Sequence, residues 1–190
     1  MSHKNVLAVD FGASSGRVML GNFDGNRLSI QEIHRFPNDP VILNGTMYWD
    51  FLRLFYEVKQ GLMKAKKYGK IDSIGVDTWG VDFGLIDKEG NLLENPVHYR
   101  DARTAGMLEK SFGKMDKDRF YQITGSQFME INTVFQLLAL LEKRPGLLEG
   151  TSRLLLMPDL FNYYLCGAQV SEYSIASTTQ MLDARTKMWS

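Results

Sequence analysis

Cysteine is almost missing from this chain. Cys166 is the only one among 190 residues, so no internal disulfide can form and a reducing compartment is expected. Its apolar and aromatic neighbours point to burial rather than reactivity. An excess of either charge is missing too: 22 basic residues balance 22 acidic ones. Without a net field there is no general attraction for nucleic acid or an anionic membrane. The basic run "KAKKYGK" at 64–70 reads as a solvated helix end. No apolar run approaches the ~20 residues that cross a bilayer, and "MSHKNVLAVD" has no signal-peptide core. We therefore expect a cytoplasmic protein with neither nucleic acid nor membrane as partner.

Missing motifs narrow the chemistry further. There is no G-x-x-x-x-G-K-[ST] and no G-x-G-x-x-G, hence neither a P-loop nor a dinucleotide fingerprint. The triplet "DFG" at 10–12 occurs in protein kinases, but the few residues before it cannot hold their glycine loop, lysine strand and catalytic loop.

What is present is a succession of short strands and helices. Val6 to Val9 is an unbroken apolar run, as in a buried strand, and Arg17 to Phe23 reads as a second. "DGN" at 24–26 turns the chain into a third strand, "RLSIQEIHRF", whose apolar positions are Leu28, Ile30 and, less cleanly, Ile33 and Phe36. A helix capped by Asp50 places Phe51, Leu54, Phe55, Val58, Leu62 and Ala65 on one face and stops at Gly69. Strands follow at Ser73 to Val76 and Val81 to Asp87. Beyond Pro96 come helices at Thr104 to Phe112, Lys117 to Ile123 and Thr133 to Leu141, and a strand at Arg153 to Met157 ended by Pro158. A last helix opens at Asp159 and closes near Gly167. The order β-β-β-α-β is not the βαβ alternation of a dinucleotide-binding fold. By fold analogy it predicts an α/β, ribonuclease-H-like (actin-like ATPase) fold: a mixed sheet opening with an antiparallel three-strand meander and flanked by helices. An exposed apolar face is expected around 158–182.

Two stretches carry chemistry. In "VLAVDFGASSGRVML" a buried strand ends on Asp10, where a carboxylate emerges to meet water or a hydrated cation. The turn after it offers backbone amides around Gly12 and Gly16, the hydroxyls of Ser14 and Ser15, and the planar fork of Arg17. A carboxylate beside a phosphate cradle asks for a divalent cation between them. On composition alone, a plain Gly/Ser hairpin turn with a solvated Asp is the better account. "IGVDTWGVDFGLID" repeats the grammar: a strand ends on Asp77, and the short loop Thr78, Trp79, Gly80 exposes an aromatic ring that can wall a sugar. The competing account has Trp79 capping the core. Arg100, Asp101 and Arg103 in "HYRDARTAG" fit a surface charge cluster with Asp101 as a helix cap.

Taken in order with "YRDARTAG" and "LLLMPDLFNYYLCG", these blocks resemble the FGGY carbohydrate kinase family, in its L-rhamnulose-phosphorylating branch, from about Val6 to the C-terminus. The resemblance implies ATP-dependent phosphorylation of L-rhamnulose to L-rhamnulose 1-phosphate in rhamnose catabolism, with ATP and Mg²⁺ as cofactors. It places Ala13, Ser14, Ser15, Gly16 and Arg17 on the ATP phosphate loop and gives Asp10 the metal-associated role. Gly80 falls on a ketose-binding position, with Asp77, Thr78 and Trp79 as neighbours. Where many members carry a lysine, this chain has Gln136. Members are roughly twice this length, and the family's catalytic aspartate follows a histidine, a pair this chain lacks. Residues 1–190 are thus expected to be the N-terminal lobe, inactive alone, with the catalytic base and the C-terminal ATP-binding lobe outside it. A kinase of another ketose, such as L-fuculose, and a non-catalytic sugar- or nucleotide-binding module are the alternatives.

Overall fold

Each of these apolar runs lies in a strand or helix of the computed structural model, which describes residues 3–190. In chain order the elements are β1 (Lys4–Phe11), β2 (Ser15–Phe23), β3 (Leu28–Pro37), β4 (Val41–Leu43), β5 (Thr46–Tyr48), α1 (Phe51–Ala65), β6 (Ser73–Asp77) and β7 (Phe83–Ile86). Then come α2 (Met107–Phe112), α3 (Lys117–Thr124), α4 (Thr133–Lys143), α5 (Pro145–Glu149), β8 (Arg153–Leu156), α6 (Met157–Cys166) and α7 (Tyr173–Ala176). They form two compact units. One holds the chain up to Pro40 and Trp49–Trp79, the other Val41–Tyr48 and Gly80–Ser190.

The first unit is a four-stranded sheet in the order β3-β2-β1-β6. The three leading strands are antiparallel, and β6 returns through α1 to lie parallel to β1. The expected meander is therefore present, and the sheet is mixed. Leu7, Val9, Val18 and Leu20 are buried on the face that α1 covers. The approach is close: a Cβ on Gly61 of α1 would stand 2.4 Å from a Val18 methyl. Asp50 caps α1 as expected, accepting the Arg53 N–H at 3.1 Å. The unclean alternation in β3 has a cause: Met19 pairs with Glu32 and Val18 with His34, so Ile33 is the extra residue of a β-bulge. Before the bulge Leu28 and Ile30 face away from α1 and are 52% and 65% exposed; after it Phe36 faces inward and is buried.

In the second unit β7 pairs antiparallel with β8, and all four residues of β7 are buried. Phe83, Leu85, Leu140, Leu156, Ala176 and Leu182 form one core cluster there, and Met107, Phe120, Phe135 and Ala139 another. Several boundaries differ from expectation. The hairpin β4–β5 turns on Asn44 and Gly45, both at positive φ, the Asn-Gly signature of a tight hairpin. Helix α2 starts only after Gly106, at φ 76, because the residues before it form a 3₁₀ turn. Pro158 does not mark the end of a strand at Met157: β8 stops at Leu156. It sits in the first turn of α6, which opens at Met157 rather than Asp159, and its missing N–H costs nothing there. Cys166 is exposed rather than buried, because α6 buries its first half, from Met157 to Phe161, and Cys166 is at its other end. The stretch 158–182 is not an open apolar face: Leu160, Phe161, Ala176 and Leu182 belong to the core. No helix among the described residues is long and apolar enough to cross a membrane.

Candidate functional site

The first unit brings two of the expected acidic positions side by side. Asp10 and Asp77 are register partners on parallel β1 and β6, Arg17 is the partner of Asp10 on β2, and Arg35 that of Arg17 on β3. Residues paired across a sheet share a face. Four charges, acid–acid–base–base, thus form one row across the end of the sheet. Neighbouring strands are about 4.8 Å apart, so two carboxylates in register repel unless a cation offsets them. Arg17 offsets one, with its Nε 3.0 Å from Asp10 Oδ2. Yet this buried Nε makes no hydrogen bond: the pair is a charge contact without a directed N–H. Asp77 is exposed and, among the described residues, in no ion pair. Arg35, which sequence reasoning overlooked, is held by Glu32 at 3.0 Å and reaches Ser15 Oγ at 3.5 Å.

The donor set fits a hydrated Mg²⁺. Among the described residues no group of three or more His, Cys, Asp and Glu forms a closed cage. Mg²⁺ is commonly held by one or two carboxylates together with waters and phosphate oxygens, and Asp10 and Asp77 supply that number at the exposed end of a sheet.

The turn between β1 and β2 is fixed from the inside. Gly12 N–H donates to Ser15 C=O at 2.9 Å. Asn38, just past β3 and only 2% exposed, grips the turn twice. Its Nδ2 donates to Gly12 C=O at 2.7 Å, and its backbone N–H donates to Ser14 C=O at 3.1 Å. The carbonyls are thereby turned inward, while Ala13 and Ser14 are exposed and their N–H groups donate to no group among the described residues. That is the polarity an anion requires. The space at Gly16 serves the core instead: a Cβ there would lie 2.3 Å from the Phe36 ring. Nothing in the sequence near Asp10 announces Asn38, which reaches the turn from the far end of β3.

Trp79 is half-buried, and one face of it is taken. Its ring stacks on the fully buried Trp49 at 3.7 Å between centroids, and Phe11 meets it edge-on at 6.3 Å. The ring thus packs against the core, as the competing account expects. Thr78 Oγ1 donates to the Trp79 carbonyl at 2.8 Å.

The second unit contains Gly80 and a buried polar network behind it. A Cβ on Gly80 would stand 3.0 Å from the Thr178 side chain. Asp82, 1% exposed, lies just before β7 rather than inside it. It accepts the Tyr99 N–H at 3.1 Å and Gln136 Nε2 at 2.9 Å. Gln136, also 1% exposed, further donates to Ile131 C=O at 2.8 Å, and its Oε1 accepts from the Arg103 guanidinium. Burial pulls the pKa of Arg103 down, opposed by the charges of Asp82 and Asp101. Of the expected charge cluster, Arg103 thus turns inward. Arg100 lies 5.4 Å from the centre of the Tyr99 ring, and Asp101 caps the 3₁₀ turn and accepts the Met47 N–H at 2.8 Å.

A mixed sheet of this order, with an inward-pinned turn and adjacent carboxylates at its end, is the frame of an actin-like sugar-kinase lobe. The chain belongs to the FGGY family of carbohydrate kinases, whose N-terminal domain matches residues 5–190. Within the family it is similar to rhamnulokinases. It is 44% identical to the rhamnulokinase of Oceanobacillus iheyensis over 184 residues, covering 96% of this chain and 39% of that protein. It is 44% identical to the rhamnulokinase of Bacteroides thetaiotaomicron over 185 residues, covering 97% of this chain and 38% of that protein. The chain therefore spans about two-fifths of the length of these relatives. In fold it resembles the xylulose kinase of Lactobacillus acidophilus at TM-score 0.86, with 17% identity over 98% of this chain and 38% of that one. The gluconate kinase of the same organism gives TM-score 0.84 and 17% identity over all of this chain and 38% of that one.

Proposed function

We propose that this chain is the sugar- and phosphate-binding lobe of an ATP-dependent L-rhamnulose kinase, which makes L-rhamnulose 1-phosphate. A further lobe of the same protein supplies the adenine pocket and the aspartate that takes the sugar's proton. The similarity to rhamnulokinases supports the choice of ketose. The observation that carries the chemical reading is the register of Asp10 against Asp77 beside the pinned turn.

Phosphoryl transfer is mostly positioning and charge neutralisation. Bound at Asp10, Mg²⁺ would offset phosphate charge as it develops. Ala13 to Gly16 form the phosphate-binding turn, which meets phosphate oxygens with the outward N–H groups of Ala13 and Ser14 and the Ser14 and Ser15 hydroxyls. Arg17, already turned towards Asp10, adds a cation to the same oxygens. Thr78, Trp79 and Gly80 hold the ketose, and Asp77 accepts from its hydroxyls. With no catalytic base of its own, the 190-residue chain is expected to show no turnover.

The test is kinetic. The full-length protein should phosphorylate L-rhamnulose in preference to L-fuculose and other ketoses, and Asp10→Ala should lower kcat by about 10²-fold or more, the scale of losing one electrostatic partner in a closed site. Undiminished turnover in the variant would overturn the role of Asp10. Preference for another ketose would overturn the substrate.

A further inference from the structure

Val81 has a backbone that its side chain disfavours. Its φ is 67°, and among the described residues it is the only β-branched one at positive φ. The Asp82 N–H donates to the Gly80 carbonyl at 2.9 Å across it. A two-residue hydrogen bond around such a φ is a γ-turn of the left-handed kind, which is rare and strained. Strain of this sort persists only where the surroundings over-determine it.

They do so here, from far along the chain. The Val81 carbonyl accepts from Thr133 Oγ1 at 2.6 Å and from Gln136 Nε2 at 3.3 Å. The Val81 N–H donates to Thr178 Oγ1 at 3.1 Å, and that hydroxyl in turn donates to Ile175 C=O at 2.8 Å. Thr133 and Gln136 are fully buried. Every backbone polar group from the Gly80 carbonyl to the Asp82 N–H is thus consumed inside the protein. The Gly80 N–H, in a half-buried residue, donates to nothing among the described residues. A donor left open at a half-buried turn is available to an arriving acceptor.

We infer that Thr133 and Thr178, with Gln136, are positioning residues that hold Val81 in its strained turn so that the Gly80 N–H meets a hydroxyl or carbonyl oxygen of the sugar. This rests on the ketose-binding reading of Gly80 given above. It assigns the strain a function: relaxed, the turn would swing this donor away.

The experiment uses the full-length kinase, with L-rhamnulose and ATP varied separately. Thr133→Val and Thr178→Val should each raise KM for the ketose about three- to tenfold, the worth of one hydrogen bond, and leave KM for ATP unchanged. Thr133→Ser and Thr178→Ser keep the hydroxyl and should restore the ketose KM. Val81→Gly adopts positive φ without penalty, so in its background Thr133→Val should cost far less in ketose KM. Were Thr133→Val not to fold, Thr178→Val and the Val81→Gly pair would decide. Unchanged ketose KM in the valine variants, an equal rise for ATP, or no relief by Val81→Gly would overturn the inference while leaving the kinase reading in place. Absence of any ketose phosphorylation by the unmodified protein would instead remove that reading.

Discussion

Two buried titratable groups in the second unit should pull stability in opposite directions as pH changes. Asp159, 2% exposed in the first turn of α6, has its pKa raised from 3.8 to about 6. Burial is the main cause, and the Glu172 charge adds to it, although the Glu172 N–H, 3.3 Å away, works the other way. His98, 4% exposed, has its pKa lowered from 6.5 to about 4, by burial first and the Arg100 charge second. Its Nδ1 accepts the Arg100 N–H at 3.0 Å, so the neutral ring carries its proton on Nε2. A second proton would set one N–H against another.

The signs follow from which state binds protons more tightly. For Asp159 the folded state does, so its contribution is intact below pH 3.8 and is lost as pH rises towards 6. At ~1.4 kcal/mol per pH unit that gap amounts to about 3 kcal/mol. For His98 the unfolded state binds the proton more tightly, so stability is intact above pH 6.5 and is lost as pH falls towards 4, again by about 3 kcal/mol. Between pH 4 and 6 the two slopes cancel. Asp159→Asn removes one of them and keeps an acceptor for Glu172. Its stability relative to the unmodified protein should climb with pH through this window and level off above it. His98→Asn keeps an oxygen where Nδ1 was, and its relative stability should fall with rising pH over the same range. Urea unfolding followed by circular dichroism at four or five pH values gives both difference curves. Lost packing shifts a whole curve but cannot tilt it, so a flat difference curve for either variant would refute the burial argument for that residue.

Two further substitutions test the proposed phosphate-binding turn between β1 and β2. Gly16→Ala drives a methyl into the Phe36 ring, which Phe11 and His34 hold at 5.7 and 5.5 Å between centroids. It should cost about 1–3 kcal/mol of overpacking, and Phe36→Leu in the same chain should recover most of it in a double-mutant cycle measured by urea unfolding. Asn38→Asp replaces the Nδ2 donor with an oxygen facing the Gly12 carbonyl. It should cost about 1–3 kcal/mol in stability and, in the full-length kinase, raise KM for ATP while sparing that for the ketose; an equal rise in both would remove the link to the turn.

Local patterning carried most of the fold. The strand around Val9 was readable because a buried strand is an apolar run that stops where the chain reaches solvent, at Asp10. The short run ending at Asp77 also forms a strand, but not a buried one, because β6 is the edge of the sheet and only Val76 in it is even half-buried. α1 was readable because the spacing of Phe51, Leu54 and Val58 matches one helical face. Its buried Glu57 was not. That carboxylate is inside because Arg53 offsets its charge at 2.7 Å and His34 Nε2 lies within hydrogen-bond distance, also at 2.7 Å, and His34 belongs to β3, not to α1. The β4–β5 hairpin carried a signal that was passed over, Asn44-Gly45 between short apolar runs. Pro158 was ambiguous in principle, since the same residue ends a strand and opens a helix; the apolar residues on both sides belong to the core, and only tertiary packing assigns the boundary.

The candidate site divides along the same line. Residues whose role is set by their own strand end (Asp10, Arg17, Asp77) could be picked out one at a time. Residues that act by holding others could not, because their partners lie far off in sequence: Asn38 is 26 residues from Gly12, Thr133 is 52 from Val81, and Thr178 is 97 from it. Composition gives such residues no mark; an Asn after a strand or a Thr opening a helix is ordinary turn and cap chemistry. Gln136 shows the consequence. From sequence it stands out only as the residue where many family members carry lysine. In the fold it is a buried amide whose two ends need a donor on one side, Arg103, and acceptors on the other, Asp82 and the Ile131 carbonyl. A lysine has donors alone, so it could serve Asp82 but would set a second cation against Arg103 and leave that guanidinium without its acceptor. The glutamine and the buried arginine therefore require each other, and a family member with lysine at this position must solve the burial of Arg103 differently or lack that arginine.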